Sequence, residues 1–331
     1  MAEWIVENGI GETRAALIDG DTILEAHIEP NGEPIAGSIV EAKLVEQIAG
    51  KRAGRLELTD GAEAIVEPLP AGLTEGATGL FEVVRAPIPE PGRPKLAKLR
   101  HAPRADGPRS AKPLAERLPG DHPIVTLAAH EPDRLEGAGW SELLEQAASG
   151  AVPFPVGALR ISLTPAMTVI DVDGVVPPAE LAREGARAAS QTIRRLDIQG
   201  SIAIDLPTLE AKTDRQAAAE AFDAALPLAF ERTAVNGFGL MQVVRKRIGP
   251  SLAERFQYDA PASHARALLR RAERTKGSGP RTIRAHPKIF AMLEERADWI
   301  DTLTRRIGAP VTLEIDPALS MAGGTVHAET P

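Results

Sequence analysis

The sequence predicts a mixed fold, α+β at its start and α/β in the block that follows. Two observations carry this. Between Gly37 and Arg100, short β-like runs are punctuated by Gly and Pro. Between Ala158 and Leu226, the pattern changes to strand, helix, strand, helix. The chain has 331 residues, enough for two or three domains.

The elements follow in order. "TRAALIDGDTILEAHIE", from Thr13 to Glu29, reads as two strands around a turn at "DGD". The runs "SIVEAKLVEQI", "AGRLELT", "EAIVEPL", "TGLFEVVRA" and "PKLAKLR" then predict a barrel of about five strands, the size of an OB-fold. Any other small antiparallel sheet would produce the same runs. Residues 101–120 have no clear period and several Pro and Gly, as a linker would. "PIVTLAAH" reads as a strand and "GWSELLEQAASG" as a short helix.

The next block is the most regular. "ALRISLTPAMTVIDVDG" gives two strands around a turn near Thr164 and Pro165. "PPAELAREGARAASQTIRRL" is a helix with prolines at its start, and "GSIAIDLP" a buried strand. "TDRQAAAEAFDAAL" opens a second helix, with Thr213 and Gln216 in capping-box spacing. The βαβ order makes the two strands parallel neighbours.

Composition excludes several classes. There is no cysteine, so no disulfide and no thiolate zinc site. No apolar run is long enough to span a bilayer, and the N-terminus lacks the pattern of a secretory signal. A cytoplasmic location is expected. The net charge of −8 argues against a general polyanion binder but leaves room for local basic patches. These are Lys95–Arg100, Arg245–Arg247 and Arg266–Lys276. Solvated helix faces and loops are the plainer account of any one patch. No phosphate-cradling glycine loop of the G-x-x-x-x-G-K-[ST] kind occurs, and the histidines lack paired metal spacing.

"TVIDVDG" carries two carboxylates in a hydrophobic strand. Residues i and i+2 of a strand share a face, so Asp171 and Asp173 project together. The next parallel strand ends in Asp205, and ligands of open α/β sheets bind beyond the carboxyl ends of strands. The three carboxylates are expected to converge within a few ångströms. Such a group calls for protonation, a basic partner or a divalent cation. Hard oxygen donors without Cys or paired His suit Mg²⁺, with Mn²⁺ as the other choice. The same spacing also suits a plain turn at Asp173-Gly174 and an Asp205 that caps the next helix.

"LTPAMTVIDVDG", "IRRLDIQGSIAIDLP" and "GFGLMQVVRKRIGPSL" resemble, in order and spacing, the catalytic core of the ribonuclease E/G family. "RAALIDGDTILEAHIE" resembles that family's N-terminus, and "GSIVEAKLVEQIAGKRAGRLELTDGAEA" its inserted RNA-binding OB-fold. The resemblance covers most of residues 1–252. It implies N-terminal strands joining the core (1–35), an OB-fold domain (36–100), a linker (101–120), a deoxyribonuclease-I-like catalytic core (121–252) and a small C-terminal βα domain (253–331).

The implied activity is Mg²⁺-dependent endonucleolytic cleavage of single-stranded RNA, in RNA processing or decay, leaving 5′-phosphate and 3′-hydroxyl ends. The family's two metal-binding aspartates fall on Asp171 and Asp205, the catalytic pair. Asp173 stands where the family usually has asparagine, and is assigned as an additional metal ligand or an acceptor for bound water. The family's zinc-linking cysteines are missing after "GPSL", so no zinc is expected and any homo-oligomer would form without it. The motif by which larger members hold a 5′-monophosphate is also missing. Lys95, Lys98 and Arg100 are expected to hold RNA phosphates at the barrel, and Arg245, Lys246 and Arg247 near the metal. The alternative is a catalytically weakened RNA-binding protein of the same fold. A metal phosphohydrolase acting on small nucleotides is a third reading.

Overall fold

A computed structural model of the protein describes residues 1–329; the last two residues of the expected 253–331 domain lie outside them. Two compact units are present. One comprises Met1–Gly32, Pro119–Ser149 and the chain from Arg255 onward, the other Glu33–Leu118 and Gly150–Glu254.

In the first unit, β1 (Glu3–Asn8), β2 (Glu12–Asp19) and β3 (Thr22–Pro30) form an antiparallel meander. The N-terminal strands, expected to join a 121–252 core, pair with the start of that stretch. After the five barrel strands, β9 (Ile124–Thr126) returns to pair parallel with β1. This gives a four-stranded sheet in the order β3-β2-β1-β9. Helices α1 (Arg134–Gly137) and α2 (Trp140–Ser149) follow β9.

A set of charges is buried in the same unit. Arg14, 1% exposed, donates to Glu7 and, through Nη2, to Asp133 at 2.7 Å. Arg270 donates to Glu12 at 2.8 Å, and Arg274 to Glu7 at 2.9 Å. Trp140 has the guanidinium groups of Arg14 and Arg270 5.1 and 6.0 Å from its ring centroid. Burial, and the charge of Arg14, push the pKa of Arg270 down to about 10. The basic run Arg266–Lys276 is therefore not a solvated face. Glu12 of β2 meets the buried Arg270, Glu7 of β1 meets Arg274, and the buried Arg266 lies over the Trp299 ring.

In the second unit, the five barrel strands are β4 (Ile39–Gln47), β5 (Gly54–Leu58), β6 (Glu63–Val66), β7 (Thr78–Arg85) and β8 (Ala97–His101). They close in the order β4-β5-β6-β8-β7, with β7 returning to β4. Leu44, Leu56, Val66, Phe81, Val83 and Leu99 fill the interior. The expected linker is partly anchored. Ile39 and Arg109 exchange backbone hydrogen bonds at 2.8 and 2.9 Å.

The six-stranded sheet of this unit contains β10 (Ala151–Phe154), β11 (Gly157–Leu163), β12 (Thr168–Gly174), β13 (Gly200–Asp205), β14 (Glu231–Arg232) and β15 (Leu240–Arg245). Its order is β10-β11-β12-β13-β15-β14. β12 and β13 are parallel neighbours, as the βαβ pattern predicts. Between them runs α3 (Pro178–Arg195), and after β13 comes α4 (Lys212–Ala225). Leu181, Ala182, Gly185, Ala186, Ala189 and Ile193 form the buried stripe of α3. At Gly185 an added Cβ would lie 2.3 Å from Val172 Cγ1, so the missing side chain lets the helix lie close on β12. Ser190 Oγ donates to Phe222 O at 2.8 Å and ties α3 to α4. The expected capping box is absent. α4 starts one residue before Thr213, which makes no cap, and Gln216 reaches Glu220 instead at 3.0 Å.

The first unit is completed by α5 (Leu252–Tyr258), which starts in the second, α6 (Ala260–Arg274), α7 (Pro287–Glu295) and α8 (Ala297–Ile307). A small sheet accompanies them, with β16 (Arg281–Ala285) between β17 (Val311–Ile315) and β18 (Thr325–Ala328). Leu268, Leu269, Ile283, Leu293, Trp299 and Leu303 pack in one core there. Among the described residues, no helix is long and apolar enough to cross a membrane.

Candidate functional site

The two faces of the six-stranded sheet differ. On β12, Thr168, Ile170 and Val172 are buried, whereas Asp173 is exposed and Asp171 half-buried. The alternation continues on β11, where Leu159 and Ile161 are buried and Ala158, Arg160 and Ser162 exposed. It holds on β15, where Met241 and Val243 are buried and Leu240, Gln242 and Val244 exposed. One face therefore carries the helices, and the carboxylates stand on the other. This is how a hydrophobic strand accommodates two aspartates.

Asp171 and Asp205 are register partners across the parallel pair β12–β13. Strand neighbours are about 4.8 Å apart, so these two carboxylates leave the sheet side by side. Neither alternative to a shared site holds locally. Asp173 and Gly174 belong to β12, not to a turn, and Asp205 does not cap α4, whose N-cap is Ala211. Asp173 sits two residues beyond Asp171, about 7 Å farther along the strand and past the last residue of β13. The three carboxylates are thus a pair and an outlier. Among the described residues, no three His, Cys, Asp or Glu side chains gather closely enough to enclose an ion.

The register exposes a residue that the sequence reading passed over. Arg160 on β11 is the direct partner of Asp171. It is exposed and makes no ion pair with any described residue. The alternation in "ALRISL" would have placed it on the carboxylate face.

The six expected RNA-contacting cations lie elsewhere. β15 runs antiparallel to β13, with Leu240 opposite Asp205 and Arg245 opposite Gly200. Arg245 is therefore about 17 Å along the sheet from Asp205. The placement of Arg245, Lys246 and Arg247 near the metal is corrected accordingly. They stand at the opposite edge of the sheet, where the barrel meets it. There Ala86 N donates to Ile248 O at 2.9 Å, and Lys95 Nζ to Pro165 O at 3.0 Å. Arg245 donates to Ile198 O at 2.7 Å, Arg247 is paired with Glu254, and Lys246 is exposed. Burial, with the charge of Arg247, lowers the pKa of Arg85 at the end of β7.

On the barrel, Lys98 pairs with Glu67 at 2.8 Å and Arg100 with Glu82 at 2.5 Å. The hydrogen bond and charge of Lys98 hold Glu67 below its ordinary pKa. Pairs this exposed to water add little to stability, so a phosphate can replace the carboxylate at little cost. The barrel's one phenylalanine, Phe81, is fully buried.

The carboxylate pair fits a hard cation in donor type and exposure. Two oxygen donors, with water completing the shell, are what Mg²⁺ commonly takes from a protein. The pair does not amount to a three-carboxylate cage. Comparison with models of known families and with curated proteins yields no match for this chain.

Proposed function

We propose that the protein is a divalent-metal-dependent endoribonuclease that cleaves single-stranded RNA to 5′-phosphate and 3′-hydroxyl ends. The carrying observation is the register pairing of Asp171 with Asp205 on the open sheet face of a unit that also holds a closed barrel. The motif resemblance to the ribonuclease E/G core supports the same reading, as does the barrel's five-strand closure for an OB-fold. The core would then be deoxyribonuclease-I-like.

In this reading Asp171 and Asp205 hold Mg²⁺ or Mn²⁺, and Asp173, farther along the strand, serves as acceptor for bound water. When bound, such an ion lowers the pKa of water and offsets charge on phosphoryl oxygens. Arg160, opposite Asp171, supplies the cation that lets a phosphate approach a face bearing three carboxylates. Lys95, Lys98 and Arg100 on the barrel, with Arg245, Lys246 and Arg247 at its junction with the sheet, hold backbone phosphates and set the register of the strand. RNA would pass from the barrel edge across the open face to the aspartates.

The register that sets Asp173 apart from the other two favours a second reading, a catalytically weakened RNA-binding protein of the same fold. A fluorescent single-stranded RNA incubated with Mg²⁺, and in parallel with chelator, separates the two. Cutting that requires the metal supports the nuclease. Retention of RNA without cutting supports the binder, and neither behaviour would exclude both.

A further inference from the structure

Among the seven phenylalanines, three tryptophans and one tyrosine of the chain, only Phe238 is exposed, at 82%. Burying an aromatic ring is among the larger favourable terms available to a fold, so a ring left in water is open to a partner. Phe238 is held there by its loop. Asn236 Oδ1 accepts hydrogen bonds from Phe238 N at 2.9 Å and from Leu240 N at 3.1 Å. Gly239 N donates to Asn236 O at 3.1 Å, and Leu206 N to Gly239 O at 3.2 Å. Gly239 has φ +90°, and a Cβ there would lie 2.1 Å from Leu206 O. No other residue closes this turn against β13. Gly237, on the other side, faces open space.

The position matters as much as the exposure. The turn leads directly into β15, whose first residue, Leu240, is the register partner of Asp205. Because β15 is antiparallel to β13, Phe238 lies at the sheet edge where β12 and β13 end. Val175, 98% exposed, directly follows Gly174 at that same edge. An apolar margin thus borders the carboxylates on the side away from the barrel. The barrel's one phenylalanine, Phe81, is inside it.

We propose that Phe238 is a stacking shelf for one unpaired nucleobase of the RNA strand, next to the Asp171–Asp205 pair. This rests on the RNA reading above and adds to it the element that requires a single strand. A base in a duplex has both faces covered by its neighbours, whereas an unpaired base can lay one face on a ring. Stacking is tolerant of base identity, because every base has a π-face. The occupant is a base on a polyanionic strand because the same sheet face offers the unpaired cation Arg160, and the far edge the exposed Lys246. An apolar partner surface would leave Arg160 and three carboxylates buried without compensation.

The test uses the full-length protein and a short fluorescent single-stranded RNA, followed by anisotropy. Phe238→Ala weakens binding about tenfold, equivalent to about 1.4 kcal/mol. Phe238→Trp keeps wild-type affinity, and thermal melts show both variants folded. With one abasic residue walked along the RNA, wild type loses affinity at one position that Phe238→Ala does not sense. If wild type binds RNA but Phe238→Ala binds equally well, the shelf is overturned and the RNA reading stands. If wild type binds no single-stranded RNA, both fall. If Phe238→Ala only lowers the mass of an oligomer, the edge is a contact between copies and the shelf is overturned.

Discussion

Arg160 on β11 stands directly opposite Asp171 on β12, a cation without an ion pair among the described residues, beside a pair of carboxylates on an open sheet face. Its removal leaves the approach of a phosphate opposed by Asp171, Asp173 and Asp205 alone. Arg160→Gln is expected to weaken RNA binding about tenfold, and to flatten the dependence of log affinity on log salt by about one. Affinities measured across a salt series check both. An unchanged salt slope would mean that Arg160 does not meet a phosphate.

Gly185 brings α3 against Val172, one residue from Asp171. Helix propensity favours Ala over Gly by about 1 kcal/mol, whereas overpacking a tight contact costs about 1–3 kcal/mol. With the added Cβ 2.3 Å from a stiff valine methyl, the clash wins and Gly185→Ala lowers stability. In a Val172→Ala background the sign reverses, and the same substitution stabilises. Urea unfolding of the four proteins measures it. A loss of equal size in both backgrounds would place the cost elsewhere.

Arg14 is shared by Glu7 and Asp133 in the first unit. Taking one partner from a buried ion pair costs about 3–5 kcal/mol, because the remaining charge is left unpaired. Arg14→Met is expected to lose an amount of this order on urea unfolding. Burial raises the pKa of Asp133, but the charge and hydrogen bond of Arg14, the Glu136 amide and Arg274 outweigh it, and the net direction is down. Its contribution to stability is complete above the unfolded value near 3.8 and is lost as pH falls through the lower folded value. With Arg14 gone the folded carboxyl is no longer held low, so the acid limb of the stability profile should become shallower in Arg14→Met. An acid limb of unchanged slope would show that Arg14 does not set this titration.

The carboxylate pair was legible in the sequence because two local rules suffice for it. Alternation puts Asp171 and Asp173 on one face, and the βαβ order makes the strand of Asp205 the parallel neighbour. The spread of the cations was not legible. Whether Arg245–Arg247 approach the aspartates depends on the direction of β15, which pairs antiparallel across a long connection and carries them to the barrel edge. The return of β9 to β1 is likewise a tertiary choice, made by three residues that read the same in any sheet. The run Arg266–Lys276 looked like solvated charge because its partners, Glu7 and Glu12, lie some 260 residues earlier in the chain. Arg160 and Phe238 could have been found. The first follows from strand alternation, and the second from a bulky residue between two glycines ahead of a strand.

On the proposed function, Asp171 and Asp205 together form the site at which RNA is cut. The most direct measurement is the single-turnover cleavage rate of a single-stranded RNA in Mg²⁺ for Asp171→Asn and Asp205→Asn, each shown folded by its melting temperature. Both variants are expected to lose most of the parental rate while keeping parental stability or exceeding it, since each substitution removes charge from a repelling pair. Parental cleavage rates in both variants would contradict it.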